Sequence, residues 1–180
     1  RRGPSEIDIS GMMGPAQHYA GIEANGKIVE LDGWSRDVLY TFLKKQYFLE
    51  RENVTVMPEA GDYAVDAGAC LGDTAVGSKG RVFSFDPLPL HQKAIENNVV
   101  QNNLDNVQIL PFAVGEKSST SRNVVSVDLQ TMSPGFSVVG RENSMPMISL
   151  DDFVTTQQLP RLDYIKMDIE GSELVALKGA

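Results

Sequence analysis

Tyr63-Ala-Val-Asp-Ala-Gly-Ala-Cys-Leu-Gly72 is an apolar run that enters an acidic residue and then a turn with two glycines. The run predicts a buried strand, and the turn predicts a loop through which the backbone can approach a nucleoside closely. Val82-Phe-Ser-Phe-Asp86-Pro repeats the pattern of a short apolar strand closed by a carboxylate. Leu162-Asp-Tyr-Ile-Lys-Met-Asp168-Ile-Glu170-Gly171 does so again. Ligands of open parallel sheets sit outside the carboxyl ends of the strands, so three strand-end acids predict one shared cleft.

The elements between these runs alternate as a parallel sheet requires. Asp86-Pro87 opens a helix whose stripe is Leu90, Ala94, Ile95 and Val99, with Asp86 as cap, and which ends near Asn103. Val107 to Val114 is the next strand. Gly115 to Met147, rich in Ser, Asn, Gly and Pro, is an insertion or lid with short strands at 124–127 and 136–139. Ser149-Leu-Asp-Asp152 carries capping-box chemistry and starts a short helix, the strand ending at Asp168 follows, and Gly171 to Ala180 begins another helix. Upstream, Asn25-Gly26 between two alternating runs predicts a hairpin. Ser35 caps a helix through Leu39, Phe42, Leu43 and Tyr47, followed by polar Glu50 to Asn53, and Pro58 to Asp62 is a turn. The division is therefore an N-terminal addition over 1–57 and a sheet domain over 58–180.

Two features predict an interrupted fold. Fifteen residues separate Asp66 from Val82, which leaves little helix for a parallel crossover and predicts a break in the chain near Ala75 and Val76 or, failing that, a distorted crossover. The chain also stops after its fourth candidate strand, which predicts missing C-terminal strands.

With 180 residues, 42% of them hydrophobic, the chain supports one core. A net charge of -8 repels a phosphate backbone and argues against nucleic acid. No apolar run reaches the length of a membrane span. The single cysteine, Cys70, forms no intrachain disulfide and reads as a buried filler, which fits the cytoplasm. The first residue is not Met, so an upstream segment is expected to have been removed. The sequence shows no oligomeric state.

The loop reads D-x-G-x-x-x-G through Asp66, Gly68 and Gly72, and Cys70 stands where a dinucleotide fingerprint has its second glycine, so a nucleoside without a pyrophosphate is favoured. A tight turn with no ligand is the alternative. Asp86, about twenty residues on, is placed to accept ribose hydroxyls, to cap its helix, or both. Asp168 and Glu170, two positions apart at a strand end, share one face and suit an amine, a metal or a hydroxyl proton; solvated turn acids are the bland reading. His18 and His91 have no neighbours at metal spacing and read as exposed surface.

Residues 60–180 resemble the FkbM-type family of S-adenosylmethionine-dependent methyltransferases. The likeness is carried by Val65 to Thr74, Val82 to Pro87, the asparagines 97, 98 and 103, Pro111 to Gly115, Ile148 to Phe153, and Ile165-Lys-Met-Asp-Ile-Glu-Gly-Ser-Glu173 in that order. The resemblance implies a Rossmann-like class I methyltransferase fold with a mostly parallel sheet, S-adenosylmethionine as cofactor, and transfer to an oxygen of a small-molecule acceptor such as a sugar or polyketide hydroxyl. By motif position Asp66, Gly68, Ala69 and Gly72 would lie along the methionine part, Asp86 would hold the ribose, and Phe112 and Ala113 would approach the adenine. Asp168 and Glu170 would sit nearest the methyl group, one of them as base. No metal is implied. A nicotinamide oxidoreductase and a catalytically silent module of the same fold are the competing readings.

Overall fold

Tyr63–Ala67 (β5), Arg81–Phe85 (β6), Val107–Leu110 (β7) and Tyr164–Met167 (β13) form a four-stranded parallel sheet in the order β13-β5-β6-β7. The computed structural model describes residues 17–34, 38–47, 49–52, 54–123, 126–127, 134–135 and 144–180. Alternation along β5 and β6 assigns the two faces. Val65, Ala67, Phe83 and Phe85 join Leu150 and Phe153 in the main core, where Phe153 meets Phe83 and Phe85 edge to face at 5.0 and 4.9 Å. Leu150 and Phe153 belong to α3 (Leu150–Thr156), whose Ser149 cap accepts the Asp152 amide as the capping-box reading expects. The alternate residues Ala64 and Val82 pack with Ala75 of α1 (Asp73–Gly77) on the opposite face.

The first crossover is where expectation and structure part most clearly. Thirteen residues join β5 to β6, near the minimum for a parallel connection. The chain is continuous through Ala75 and Val76, with Val76 N–H bonded to the Gly72 carbonyl at 2.9 Å. The five-residue α1 is buried throughout. So short a helix has little intrinsic stability, and burial substitutes for it: the hairpin of β1 (Gln17–Ala24) and β2 (Lys27–Gly33) covers α1, placing Val29, Leu31, Val38 and Phe42 in one cluster with Val76.

Asn25 and Gly26 both have positive φ, 50° and 74°, as the hairpin reading requires. The hairpin is fastened to α2 (Pro89–Gln101) by two side-chain amides. Asn98 exchanges hydrogen bonds with the amide and carbonyl of Asp32, at 2.8 and 3.1 Å. Asn102 does the same with Glu30, at 2.8 and 2.6 Å. Four residues along a helix and two along a strand span similar distances, about 6 and 6.6 Å. The helix therefore presents its asparagines as a substitute strand edge.

Several expected elements are redrawn. α2 begins at Pro89, not Pro87, and Leu90, placed in the apolar stripe, is 55% exposed. Val107 to Val114 is two strands, because β8 (Ala113–Val114) leaves the main sheet and pairs with β12 (Ser144–Ile148). β9 (Ser119–Asn123) joins β12 from the other side, and β10 (Ser126–Val127) pairs with β11 (Pro134–Gly135). The helix through Tyr47 shrinks to a π-helical turn at Leu39–Leu43. The polar stretch after it contributes a small hairpin of β3 (Leu49–Arg51) and β4 (Val54–Val56). Ser35, Val124 and the strand expected at 136–139 lie outside the described residues. After β13 come α4 (Glu173–Ala176) and a 3-10 turn at Leu177–Gly179. Among the described residues no helix is long and apolar enough to cross a membrane.

Candidate active site

From β5 the sheet builds to β6 and β7 on one side and to the late strand β13 on the other, so the direction of winding reverses between β5 and β13. Ligands of open parallel sheets bind at such a reversal, outside the carboxyl ends of the strands. Asp66 lies beside it, in register with Lys166 of β13 on one flank and Ser84 of β6 on the other. All three are buried. Lys166 Nζ approaches Asp66 Oδ1 to 2.9 Å and donates to the Gly68 carbonyl at 2.8 Å. The Asp66 approach is an ion pair outside hydrogen-bond geometry, so both Asp66 oxygens, like Ser84 Oγ and Thr74 Oγ1, lack a hydrogen bond among the described residues. Burial alone would depress Lys166, but Asp66, Asp73 and Asp168 outweigh it and hold its ammonium above the ordinary lysine range.

The glycine loop folds back on β6. Gly68 N–H and Ala69 N–H both donate to the Phe85 carbonyl, at 2.9 and 3.1 Å. Gly68, Cys70 and Gly72 all have positive φ, and Cys70 N–H donates to Asp86 Oδ2 at 3.0 Å. Asp86 also accepts from Leu88 N–H at 3.0 Å and contacts His91 Nδ1 at 2.9 Å. It does not cap α2, whose N-cap residue is Leu88. A carboxylate offers about four lone-pair sites; three are used here, so the buried Asp86 retains room for one donor. His91 is 1% exposed, not on the surface as expected. His18 is half-exposed and bonded to Asp32.

β13 ends at Met167. Asp168 N–H continues the ladder to the Ala67 carbonyl at 3.0 Å, and the residue is exposed at the carboxyl end of the strand. Glu170 does not alternate with it on a strand: it sits in a turn with φ 56°. Glu173 Oε1 holds that turn by accepting Ile169 N–H at 2.9 Å and Gly171 N–H at 3.3 Å. Its own backbone amide first, and then these bonds, keep its carboxyl below the ordinary glutamate range. Phe112 packs against the main core and Ala113 pairs with Met147, both beyond the end of β7.

Sequence reading passed over three contributors. Tyr47 donates its hydroxyl to Asp168 Oδ2 at 2.6 Å and lays its ring 4.8 Å from Lys166 Nζ. Its carbonyl accepts the Tyr164 hydroxyl. Thr41, from the π-helical turn, donates to Asp73 Oδ2. Lys166 is the third, and a signal for it was present, since a lysine inside an apolar strand needs a buried partner.

The Methyltransferase FkbM domain family matches residues 64–180. The hexuronic acid methyltransferase AglP of Haloferax volcanii is 30% identical over 126 residues, which are 67% of this chain and 51% of that protein. The chain thus spans about half the length of the curated relative it matches. A crystal structure of methyltransferase FkbM from Methylobacillus flagellatus overlaps 69% of this chain and 30% of its own, at 22% identity and a TM-score of 0.48. M. jannaschii TYW2 in complex with AdoMet overlaps 53% and 42%, at 19% identity and a TM-score of 0.37.

Proposed function

Since the chain belongs to the FkbM methyltransferase family, we propose that it transfers a methyl group from S-adenosylmethionine to an oxygen of a small, sugar-like acceptor. The observation that carries this reading is the charge at the strand ends, where Asp66, Asp73 and Asp168 act on one lysine and Asp86 closes the neighbouring strand. Such a site suits a sulfonium cation and an ammonium, and it repels a diphosphate. The same balance weighs against the nicotinamide alternative.

The residues fit the cofactor. Asp66, with both buried oxygens lacking a hydrogen bond, would face the methionine end together with Gly68, Ala69 and Gly72; the remaining lone pair of Asp86 would accept one ribose hydroxyl; Phe112 and Ala113 would border the adenine. When bound, the donor would supply an activated methyl whose bonding pair is left on sulfur as the acceptor oxygen takes the carbon, and the chain would have to accept the acceptor's proton. Asp168 is the base in this reading, because it is exposed at the carboxyl end of the strand while Glu170 is turned onto a separate bend. The chain's remaining task is alignment, which supplies most of the acceleration when the methyl is already activated. Likeness to a hexuronic acid methyltransferase supports a sugar acid as the first acceptor to try.

Thermal melts with S-adenosylhomocysteine and with NAD test the cofactor: at a hundred times its dissociation constant the right ligand stabilises by about 2.7 kcal/mol. A shift with NAD alone would overturn the reading. Labelled-methyl transfer to a panel of uronic acids and neutral sugars then tests the acceptor, and Asp168→Asn should lower kcat more than donor affinity. Donor binding with no transfer to any sugar would leave a silent module of this fold.

A further inference from the structure

The family-matched region begins at residue 64, yet a side chain from outside it touches the candidate base. Tyr47 crosses three alternate residues of the β13 segment, which share one face. Its carbonyl accepts from Tyr164, its ring covers Lys166 Nζ at 4.8 Å, within cation–π range, and its hydroxyl donates to Asp168 Oδ2 at 2.6 Å. Lys166 is in turn committed to Asp66 and the Gly68 carbonyl. One aromatic side chain thereby links the glycine loop, the buried ion pair and the strand-end acid.

The contact to Asp168 has a direction. Burial, and then the adjoining Asp168 carboxylate, push the Tyr47 phenol far above the ordinary tyrosine range, so it serves only as donor. Among the described residues Asp168 Oδ1 has no hydrogen-bond partner. Without Tyr47 the exposed carboxylate would rotate freely and present either oxygen. With it, one oxygen is fixed and the other is left for a proton.

We propose that Tyr47 is a positioning residue for methyl transfer, fixing Asp168 through Oδ2 so that Oδ1 receives the acceptor's proton. This rests on Asp168 acting as the base. It assigns the N-terminal segment a part in the reaction, beyond covering α1.

The test compares Tyr47→Phe, Asp168→Asn and the double variant in the full chain. Phenylalanine keeps the ring over Lys166 and removes only the hydroxyl. The expected result is a kcat lowered roughly tenfold or more, the scale of a disturbed alignment, with donor dissociation constant and acceptor KM within about twofold of wild type. In the Asp168→Asn background, Tyr47→Phe should cost no further kcat. Melting temperatures supply a readout without turnover: the stability losses of the two single changes should fail to add, as they do for groups in contact. Tyr47→Trp serves as a second variant if Tyr47→Phe melts early, and should show the same kcat loss. A wild-type kcat in folded Tyr47→Phe, or additive losses in the double variant, would overturn the positioning role while leaving the methyltransferase reading intact. Absence of methyl transfer by the wild-type chain would overturn both.

Discussion

Asp66 and Lys166 occupy register-paired positions on neighbouring parallel strands, with Lys166 Nζ 2.9 Å from Asp66 Oδ1. The pair ties β5 to β13 at the point where the sheet reverses its winding. Breaking a buried pair costs more than replacing it whole, because the surviving charge is left without compensation. Lys166→Met is therefore expected to destabilise the fold by about 3 to 5 kcal/mol, and Asp66→Leu combined with Lys166→Met by less. Chemical denaturation of the two variants measures the difference.

The same pair sets an alkaline limit. Lys166 has its folded value raised above the usual 10.5, and Tyr164 above the usual 10.0, the latter through burial and then Asp66; Tyr47 is raised as well. Each group holds its proton more tightly folded than unfolded. Their contribution is complete below the unfolded values and is lost as pH rises through the folded ones, so stability should fall from roughly pH 10 upward. Denaturant titrations from neutral pH into that range should show the decline, and Tyr47→Phe should flatten it.

Asp86→Ala is a sharper test than its sequence suggests. Read as a helix cap with a ribose contact, the residue would cost about 1 kcal/mol to remove. The structure instead gives it three buried partners, Cys70 N–H, Leu88 N–H and His91, and stranding them predicts a loss of about 3 kcal/mol or more. Melting should fall together with donor affinity. A variant with unchanged stability and weakened donor binding would restore the simpler role.

Asn98 is the analogous residue on the hairpin side. It is fully buried and serves Asp32 and the Leu71 carbonyl at once. Asn98→Ala is expected to cost about 2 to 3 kcal/mol and to speed hydrogen exchange at the Asp32 amide, whereas Asn102→Ala, more exposed, should cost less. Negligible losses at both positions would mean that the substitute strand edge carries no energy of its own.

What the sequence made legible was whatever repeats with a strand's period or needs a turn residue. β5, β6 and β13 are apolar runs closed by acids, and Asn25-Gly26 fits the positive φ values found there. α2 is legible but rotated. Apolar periodicity draws its stripe through Leu90, Ala94, Ile95 and Val99, while the face that is buried runs through His91, Ile95 and Asn98. Two polar residues sit inside because each has a partner, Asp86 at the end of β6 for His91 and the distant Asp32 and Leu71 for Asn98, and apolar periodicity carries no signal for that. α1 is too short to be stable as a helix alone. It holds because a hairpin from another part of the chain buries it. Helical spacing makes Tyr47 a core position, but the π-helical turn ends before it, so nothing local indicates its reach to Asp168.

The last prediction separates two reasons for one glycine. Gly68 reads in the sequence as space for a ligand. Built on this backbone, a Cβ at position 68 would lie 2.0 Å from the carbonyl oxygen of Asp168, and φ is already 74°. The obstacle is the end of a neighbouring strand, which cannot swing aside as a side chain would. Gly72 has a similar φ of 73°, but its Cβ would meet the side chain of Ile95 at 3.0 Å, a contact that can yield. Gly68→Ala should therefore cost about 3 kcal/mol or more, combining left-handed strain with forced displacement of backbone, and Gly72→Ala clearly less. Melting both variants without any ligand decides the matter. If Gly68→Ala melts like wild type and loses only donor binding, the glycine is there for the ligand; if it melts early, it is there because β5 and β13 converge, and the cleft owes its shape to that convergence.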